Sequence, residues 1–412
     1  MSNSTSSAAI ATPLSVPALP SVKSLPLLAA GLLLTSGAWY LADTVSGKQS
    51  ALYLIGALMG ATLYHAAFGF TSSWRVFIAD GRGAGLRAQM LMLAVACALF
   101  FPALAAGSLF GNPVTGLVAP VGVSVAVGAF IFGIGMQLGG GCASGTLYTA
   151  GGGNTRMLVT LAAFVVGSVI ATAHLHWWSA LPHIAPTSLV KELGAAPALA
   201  ASLTLFAAIA AITVLVERKV HGRLLRQDGR RGWARLLRGP WPLVAGALLL
   251  AGLNYATLAL AGRPWGVTSA FALWGAKASL ALGIDVTAWP FWQGAANKAA
   301  LAAPVANDIT SVMDIGIMVG ALAAAALAGK FAPVWKLPLK SLAAAVVGGL
   351  LLGYGSRLAF GCNIGAYFSG IASGSLHGWL WLAAAFAGNI AGTRLRPLFG
   401  LEVERTPRET GC

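Results

Sequence analysis

Ten segments of this chain are long and apolar enough to cross a bilayer, at about residues 25–42, 51–68, 87–110, 117–138, 156–174, 197–216, 242–261, 312–330, 341–359 and 378–394. Charged residues make up 9% of the 412 and hydrophobic ones 57%. No water-soluble domain covers its surface with so few charges, and in lipid the backbone must satisfy its own polar groups. The expected fold is therefore an all-α integral membrane protein with about ten transmembrane helices. The stretches 69–80 and 264–283, and the pieces just after Cys142 and Cys362, are too glycine-rich or too short for ordinary spans. They are expected to be short re-entrant helices, since irregular backbone at membrane depth is tolerated only where protein buries it or it lines a cavity.

Charge fixes the expected orientation. The net charge is +15, and eight of the 26 lysines and arginines fall between Arg218 and Arg238. Such a cluster belongs in a cytoplasmic loop. With 217–241 placed in the cytoplasm and the spans alternating, the inner segments carry 20 basic residues and the outer ones six, so both termini are expected to be cytoplasmic. The expected organisation is a flexible N-terminal tail at 1–24, a first membrane repeat at 25–196, a second at 197–396 containing the basic loop 217–241, and a C-terminal tail at 397–412. The apolar run from Pro26 to Ala42 exceeds a signal-peptide core and reads as a retained span. No basic face with interleaved aromatics lies outside the spans, which leaves the lipid bilayer, not nucleic acid, as the large partner.

The chain is internally duplicated. Six identities fall in register at an offset of 220: Gly133/Gly353, Gly135/Gly355, Leu138/Leu358, Gly141/Gly361, Cys142/Cys362 and Gly145/Gly365. A second echo pairs Gly69-Phe70-Thr71-Ser72 with Gly266-Val267-Thr268-Ser269 at an offset of 197, so the second half carries 23 extra residues, expected within 284–311. Five spans per half give the two halves opposite orientations. This is an inverted-topology repeat, the plan many transporters use to set one site between two pseudo-symmetric halves.

Each cysteine lies at a break. Gly141, Cys142 and Ala143, like Gly361, Cys362 and Asn363, stand where a long apolar segment gives way to a short one. Glycine permits the sharp turn, and a short helix beginning there would point unpaired amides at it, attracting anions. Thr71, Ser72, Thr268 and Ser269 would add donors at the second pair of breaks. A thiol is a weak donor with a polarizable sulfur, better suited to a soft sulfur or selenium atom than to sulfate or chloride. Glycine-rich membrane segments more often mean close helix packing, and a lone membrane cysteine is most often a core residue. The symmetric pairing of both favours a site for a small sulfur-containing anion. Arg357, five residues before Cys362, is either an anion-attracting group at the entrance or a snorkelling interfacial arginine, and Lys277 is similarly divided. Cys97 reads as core and Cys412 as part of the tail. His65, His174, His176, His183, His221 and His377 show no metal-ligand spacing, and no cofactor or phosphate-binding loop is indicated. Trp177, Trp178, Trp289, Trp292, Trp379 and Trp381 read as interfacial anchors.

The runs Gly139-Gly140-Gly141-Cys142-Ala143-Ser144-Gly145-Thr146-Leu147-Tyr148 and Phe360-Gly361-Cys362-Asn363-Ile364-Gly365-Ala366-Tyr367 resemble the paired signatures of the YeeE/YedE family. The resemblance covers roughly 50–395 and implies a bacterial inner-membrane protein, not an enzyme, that takes up thiosulfate. It implies passage of the anion along cysteines through an hourglass-shaped path, and a small cytoplasmic sulfur-carrier protein as a possible partner. Cys142 and Cys362 match two family cysteines. The third, in a phenylalanine-cysteine-phenylalanine context, is replaced here by Gly69 between Phe68 and Phe70. Another sulfur or selenium species is the alternative substrate, and a membrane thiol–disulfide electron carrier built on Cys142 and Cys362 is the alternative function.

Overall fold

The computed structural model describes residues 21–224 and 233–403. The helices are α1 (Ser24–Thr44), α2 (Gly47–His65), α3 (Phe70–Asp80), α4 (Ala84–Ala106), α5 (Val123–Gly139), α6 (Ala143–Gly151), α7 (Thr155–Ser179) and α8 (Leu189–Leu193). They are followed by α9 (Ala195–His221), α10 (Trp233–Arg238), α11 (Leu243–Ala261), α12 (Thr268–Ala281), α13 (Pro290–Gln293), α14 (Ala295–Ala302), α15 (Ile309–Leu327) and α16 (Leu339–Leu358). A π-helical turn (Asn363–Ser369), α17 (Gly370–Ala372) and α18 (Leu376–Leu395) complete the set. Extended pairing among the described residues comprises two ladders of two-residue strands, Ser108–Leu109 with Asn112–Pro113 and Val121–Gly122 with His183–Ile184, and one isolated bridge between Ser188 and Ser375.

Among the described residues, nine helical stretches are long and apolar enough to cross a membrane. The expected tenth span, 378–394, is the 20-residue α18, which falls short in apolar character. Its polar residues His377, Asn389 and Thr393 are buried inside the bundle, so its composition reports protein contacts more than lipid ones. The stretches 69–80 and 264–283 form the short helices α3 and α12. Between α12 and α15 lie α13, α14 and a 3-10 turn at Val305–Asn307, whereas Gly81, Arg82 and Gly83 alone join α3 to α4. The extra residues of the second half are therefore where the repeat placed them.

Lipid gives helices little hydrophobic reason to associate, so close backbone approach and polar contacts must hold them together. Glycine supplies the approach. A Cβ on Gly133 would strike the α18 backbone at Ala385 and Gly388, and one on Gly353 would strike the α7 backbone at Phe164 and Gly167. In return Gly388 abuts the carbonyl of Phe130, and Gly167 that of Leu350. Gly128 likewise meets Leu358 and Ala359, as Gly348 meets Leu138 and Gly139. Positions 130/350, 128/348 and 139/359 differ by the 220 residues of the sequence echo, so exchanging α5 with α16 and α7 with α18 reproduces the contacts. α2 and α15 pack the same way, through Gly56 and Gly60 on one side and Gly316 and Gly320 on the other.

Three sequence readings change. Lys277 is a latch rather than an entrance group: its Nζ donates to the carbonyls of Leu301 and Ala303, both at 2.7 Å, capping the end of α14. Trp292 and Trp381 are not interfacial anchors. Both are buried, with Nε1 donating to Thr172 Oγ1 and to the Gly361 carbonyl respectively, while Trp177 is exposed as expected. The chain beyond Leu395 does not leave at once as a tail. It makes a 3-10 turn at Arg396–Phe399, and Arg396 donates to the carbonyls of Gln137 and Glu402, both at 2.6 Å. Residues 1–20, the middle of the basic loop at 225–232 and the segment 404–412 with Cys412 lie outside the described residues. At the start of that loop the buried Glu217 of α9 binds Arg87 (2.8 Å), Arg82 (3.3 Å) and the Gly83 N–H (3.1 Å), tying α9 to the α3–α4 corner.

Candidate functional site

Two helix breaks carry the paired cysteines. α5 ends at Gly139, Gly140 takes φ +91°, and Cys142 caps α6. Its sulfur accepts the Gly145 N–H at 3.3 Å and lies 3.5 Å from Ser144 Oγ. In the other half α16 ends at Leu358, and Phe360 and Gly361 take φ +53° and +147°. Glycine tolerates such angles; for Phe360 the surroundings must enforce them. Cys362 then caps the π-helical turn, its sulfur accepting the Ile364 N–H at 3.4 Å.

The two breaks are related but not identical. The Cys362 carbonyl accepts from both Ala366 and Tyr367, at 2.9 and 3.3 Å, so the expected second short α-helix is a π turn. Widening the turn by one residue lets Tyr367 stack on Trp381 (centroids 6.1 Å, planes 13° apart) and Phe368 meet Trp265 edge-on (6.4 Å). One amide expected to await an anion at each break is instead held by the cysteine's own sulfur. Both sulfurs are buried, at 2% and 0% exposure. The breaks lie side by side, α6 packing against the π turn. Cys142, Cys362 and the buried Cys97 are all free thiols.

A cavity of about 450 Å³ opens at each end of the bundle. The first is lined by Arg263, Gly266, Ser269, Thr310, Arg357 and Phe360 among others, and the second by Tyr64, Asn154, Arg156 and Lys330. α7 and the α15–α16 pair run from one to the other. Neither cavity reaches a cysteine sulfur, but Phe360, two residues from Cys362, forms part of the first wall.

Arg357 is not an interfacial arginine in lipid. Its guanidinium borders the cavity, donates from Nη2 to Thr268 Oγ1 at 3.0 Å, and leaves Nε without a partner among the described residues. Ser269 donates to Thr310 Oγ1 at 3.0 Å on the same wall. The counterpart of Arg357 is Gln137, which reaches the counterpart of Thr268: its Nε2 donates to the Thr71 carbonyl (3.3 Å) and to Asn389 Oδ1 (2.6 Å). Each short helix, α3 and α12, is thus pinned by the residue five before a cysteine. Thr71 and Ser72 line neither cavity. Thr71 Oγ1 is buried without a partner among the described residues, and Ser72 Oγ donates to the Gly69 carbonyl at 3.3 Å. Both amide atoms of Asn363 and the Tyr367 hydroxyl are also buried and have no partner among the described residues. Buried polar atoms in native proteins rarely go unpaired, so such a group beside the cysteines marks a place for polar matter.

Three side chains of this region escaped the sequence reading. Arg156 donates to the carbonyls of Leu138 (2.6 Å) and Gly139 (2.8 Å), closing the end of α5 before the Cys142 turn. Trp381 does the same for the other turn through the Gly361 carbonyl at 3.2 Å. Tyr148 places its hydroxyl 3.7 Å from where a Cβ on Gly69 would stand. Arg156 and Trp381 were visible only as a basic residue and an aromatic near span ends. The one cue for Tyr148 was its place six residues after Cys142.

The family of sulphur transport proteins matches residues 65–391. The chain belongs to that family. A thiosulfate transporter, TsuA, of Spirochaeta thermophila is 28% identical over 337 residues, covering 79% of this chain and 92% of TsuA. The probable transporters YedE of Escherichia coli and of Salmonella typhimurium are each 29% identical over 180 residues, 43% of this chain and 43% of theirs. As a member of the sulphur transport family the protein is a multi-pass inner-membrane transporter of sulfur-containing anions, not an enzyme.

The Arg357 geometry in this sulphur transport protein carries a prediction. Arg357→Gln copies the residue that the other half uses, and removes one of the two cations, Arg263 and Arg357, that line the first cavity. A hydrogen bond to a charged group contributes about 1.5–3 kcal/mol. The half-saturating anion concentration is therefore expected to rise about tenfold or more, with a smaller change in maximal rate. Initial uptake rates across a concentration series measure this; an unchanged half-saturating concentration means that the anion does not pass the guanidinium.

Proposed function

We propose that the protein takes up thiosulfate across the inner membrane, passing it from the Arg357 cavity by Cys362 and Cys142 to the Arg156 cavity. The observation that carries this reading is the pair of free, buried thiols on adjoining helix breaks, with Asn363 and Tyr367, in the turn that Cys362 caps, holding polar atoms without a partner among the described residues. Thiosulfate presents hard oxygens to Arg357 and the amides and a soft terminal sulfur to the thiols. Neutral thiols can donate to a passing anion; thiolates would repel it. The name of TsuA, alike over most of both chains, points the same way. Where the family's third cysteine is absent at Gly69, the Tyr148 hydroxyl supplies the donor.

The same reading takes 25–196 and 197–396 as inverted repeats and both termini as cytoplasmic. It opens the Arg357 cavity outward and the Arg156 cavity to the cytoplasm, where Arg156 and Lys330 deliver the anion to a small sulfur-carrier protein. Purified protein in sealed vesicles tests it. Thiosulfate is expected to accumulate, selenite and sulfite to compete weakly, and sulfate not at all. Uptake of selenite in preference to thiosulfate moves the assignment to selenium, and no uptake of any of the four ends it. A reversible Cys142–Cys362 disulfide found by mass spectrometry would favour the electron-carrier reading instead.

A further inference from the structure

Of the chain's 11 acidic residues, Asp314 alone falls inside one of its ten apolar segments. It sits about 8 Å into α15 from the helix start. The residue is fully buried, and neither carboxylate oxygen has a partner among the described residues. An ionised group so placed is costly and is usually retained for function.

Its position joins the two halves of the proposed route. Thr310 and Met313, on the turn before, line the Arg357 cavity. Met318, four residues on and therefore on the same helix face, lies against Gly151 of α6. Asp314 thus sits on a helix packed against α6, the helix that Cys142 caps. The titratable groups on the packed elements do not neutralise it. Tyr53 of α2 donates to the Leu33 carbonyl, and Lys277 of α12 to Leu301 and Ala303. Asp308, on the cap of α15, accepts from Ser311. Tyr148 of α6, the exposed Lys48 of α2 and Arg263, which donates to Thr310 Oγ1 of α15 at 3.3 Å, complete the set. Tyr40 and Asp43 of α1 are exposed, and Tyr64, His65 and α10 stand at the Lys330 end of the helix.

We infer that Asp314 is a proton-binding site that couples anion passage to proton entry. An anion and a bare carboxylate exclude each other in so enclosed a space. A proton taken from water in the Arg357 cavity forms an O–H bond on Asp314 and removes the repulsion while the anion passes. The O–H bond then breaks, and the proton leaves to water in the Arg156 cavity behind the anion. This rests on the thiosulfate-uptake reading above.

The test uses the full chain in vesicles with a pH-sensitive dye inside and thiosulfate added outside. Wild-type uptake is expected to acidify the lumen, and an inward gradient of one pH unit to raise accumulation about tenfold per proton carried. Asp314→Asn is expected to accumulate the same amount with and without the gradient, whereas Asp314→Glu keeps the response. Wild-type uptake without proton entry, or an Asp314→Asn variant still driven by the gradient, overturns the inference. No wild-type uptake at all overturns the transport reading instead. Should Asp314→Asn fail to give a folded protein, wild-type protein treated with a hydrophobic carbodiimide decides: the Asp314 peptide is expected to be modified, less so in thiosulfate, and an unmodified peptide overturns the proposal.

Discussion

Cys142→Ala and Cys362→Ala will each slow thiosulfate uptake by about 10- to 150-fold, the equivalent of losing one hydrogen bond of about 1.5–3 kcal/mol to a charged group. The loss should fall on transport and not on folding. Each sulfur accepts one long hydrogen bond from a backbone N–H, 3.3 Å for Cys142 and 3.4 Å for Cys362, Cys142 also meeting Ser144 Oγ at 3.5 Å, and alanine fits the same space. Serine at either position keeps a donor but exchanges a soft atom for a hard one. Cys362→Ser is therefore expected to recover part of the rate and to admit sulfate as a competitor. The double variant Cys142→Ala/Cys362→Ala should lose less than the product of the two single losses, because the thiols lie on adjoining turns and serve one anion. Initial rates in vesicles, normalised to reconstituted protein, measure all of this. Uptake that survives both substitutions at the wild-type rate removes the thiols from the route.

The second large effect concerns the fold. Gly353→Ala places a methyl inside the carbonyl of Phe164 and the backbone of Gly167, and Gly133→Ala does the same to Ala385 and Gly388. Overpacking a rigid core costs about 1–3 kcal/mol and more where main chain is struck, since no side chain can swing aside. Both variants are expected to lower the thermal midpoint in detergent strongly and by similar amounts, the contacts being counterparts. Gly365→Ala, in the same cysteine motif, is the control: nothing stands within 4 Å of its Cβ, and it should melt with the wild type. If Gly353→Ala and Gly365→Ala melt together, the glycine seam between α7 and α16 is not what holds the helices.

How much of this was legible beforehand follows from what kind of fact each is. Glycine in a seam and glycine at a turn look alike in the sequence, and the echo at 220 could not say that Gly353 packs while Gly365 does not. It could say that whatever one half does at 133, the other does at 353, and the structure keeps that promise down to single carbonyls. The candidate site was legible to the same depth. Cys142, Cys362, Thr268 and Arg357 stand out by pattern, but pattern does not show that Gln137, the counterpart of Arg357, joins Thr71 to Asn389.

Spans, their order and the doubling were set by the sequence alone, because a bilayer demands apolar length and internal backbone pairing segment by segment, and both are local properties. Tertiary structure alone decided that Lys277 closes α14, that Trp381 holds the Gly361 carbonyl, that the Cys362 turn is π-helical and that the Asp314 carboxylate is buried without a partner among the described residues. Each of these depends on the register between elements far apart in the chain, and that register is fixed only when whole helices settle against one another.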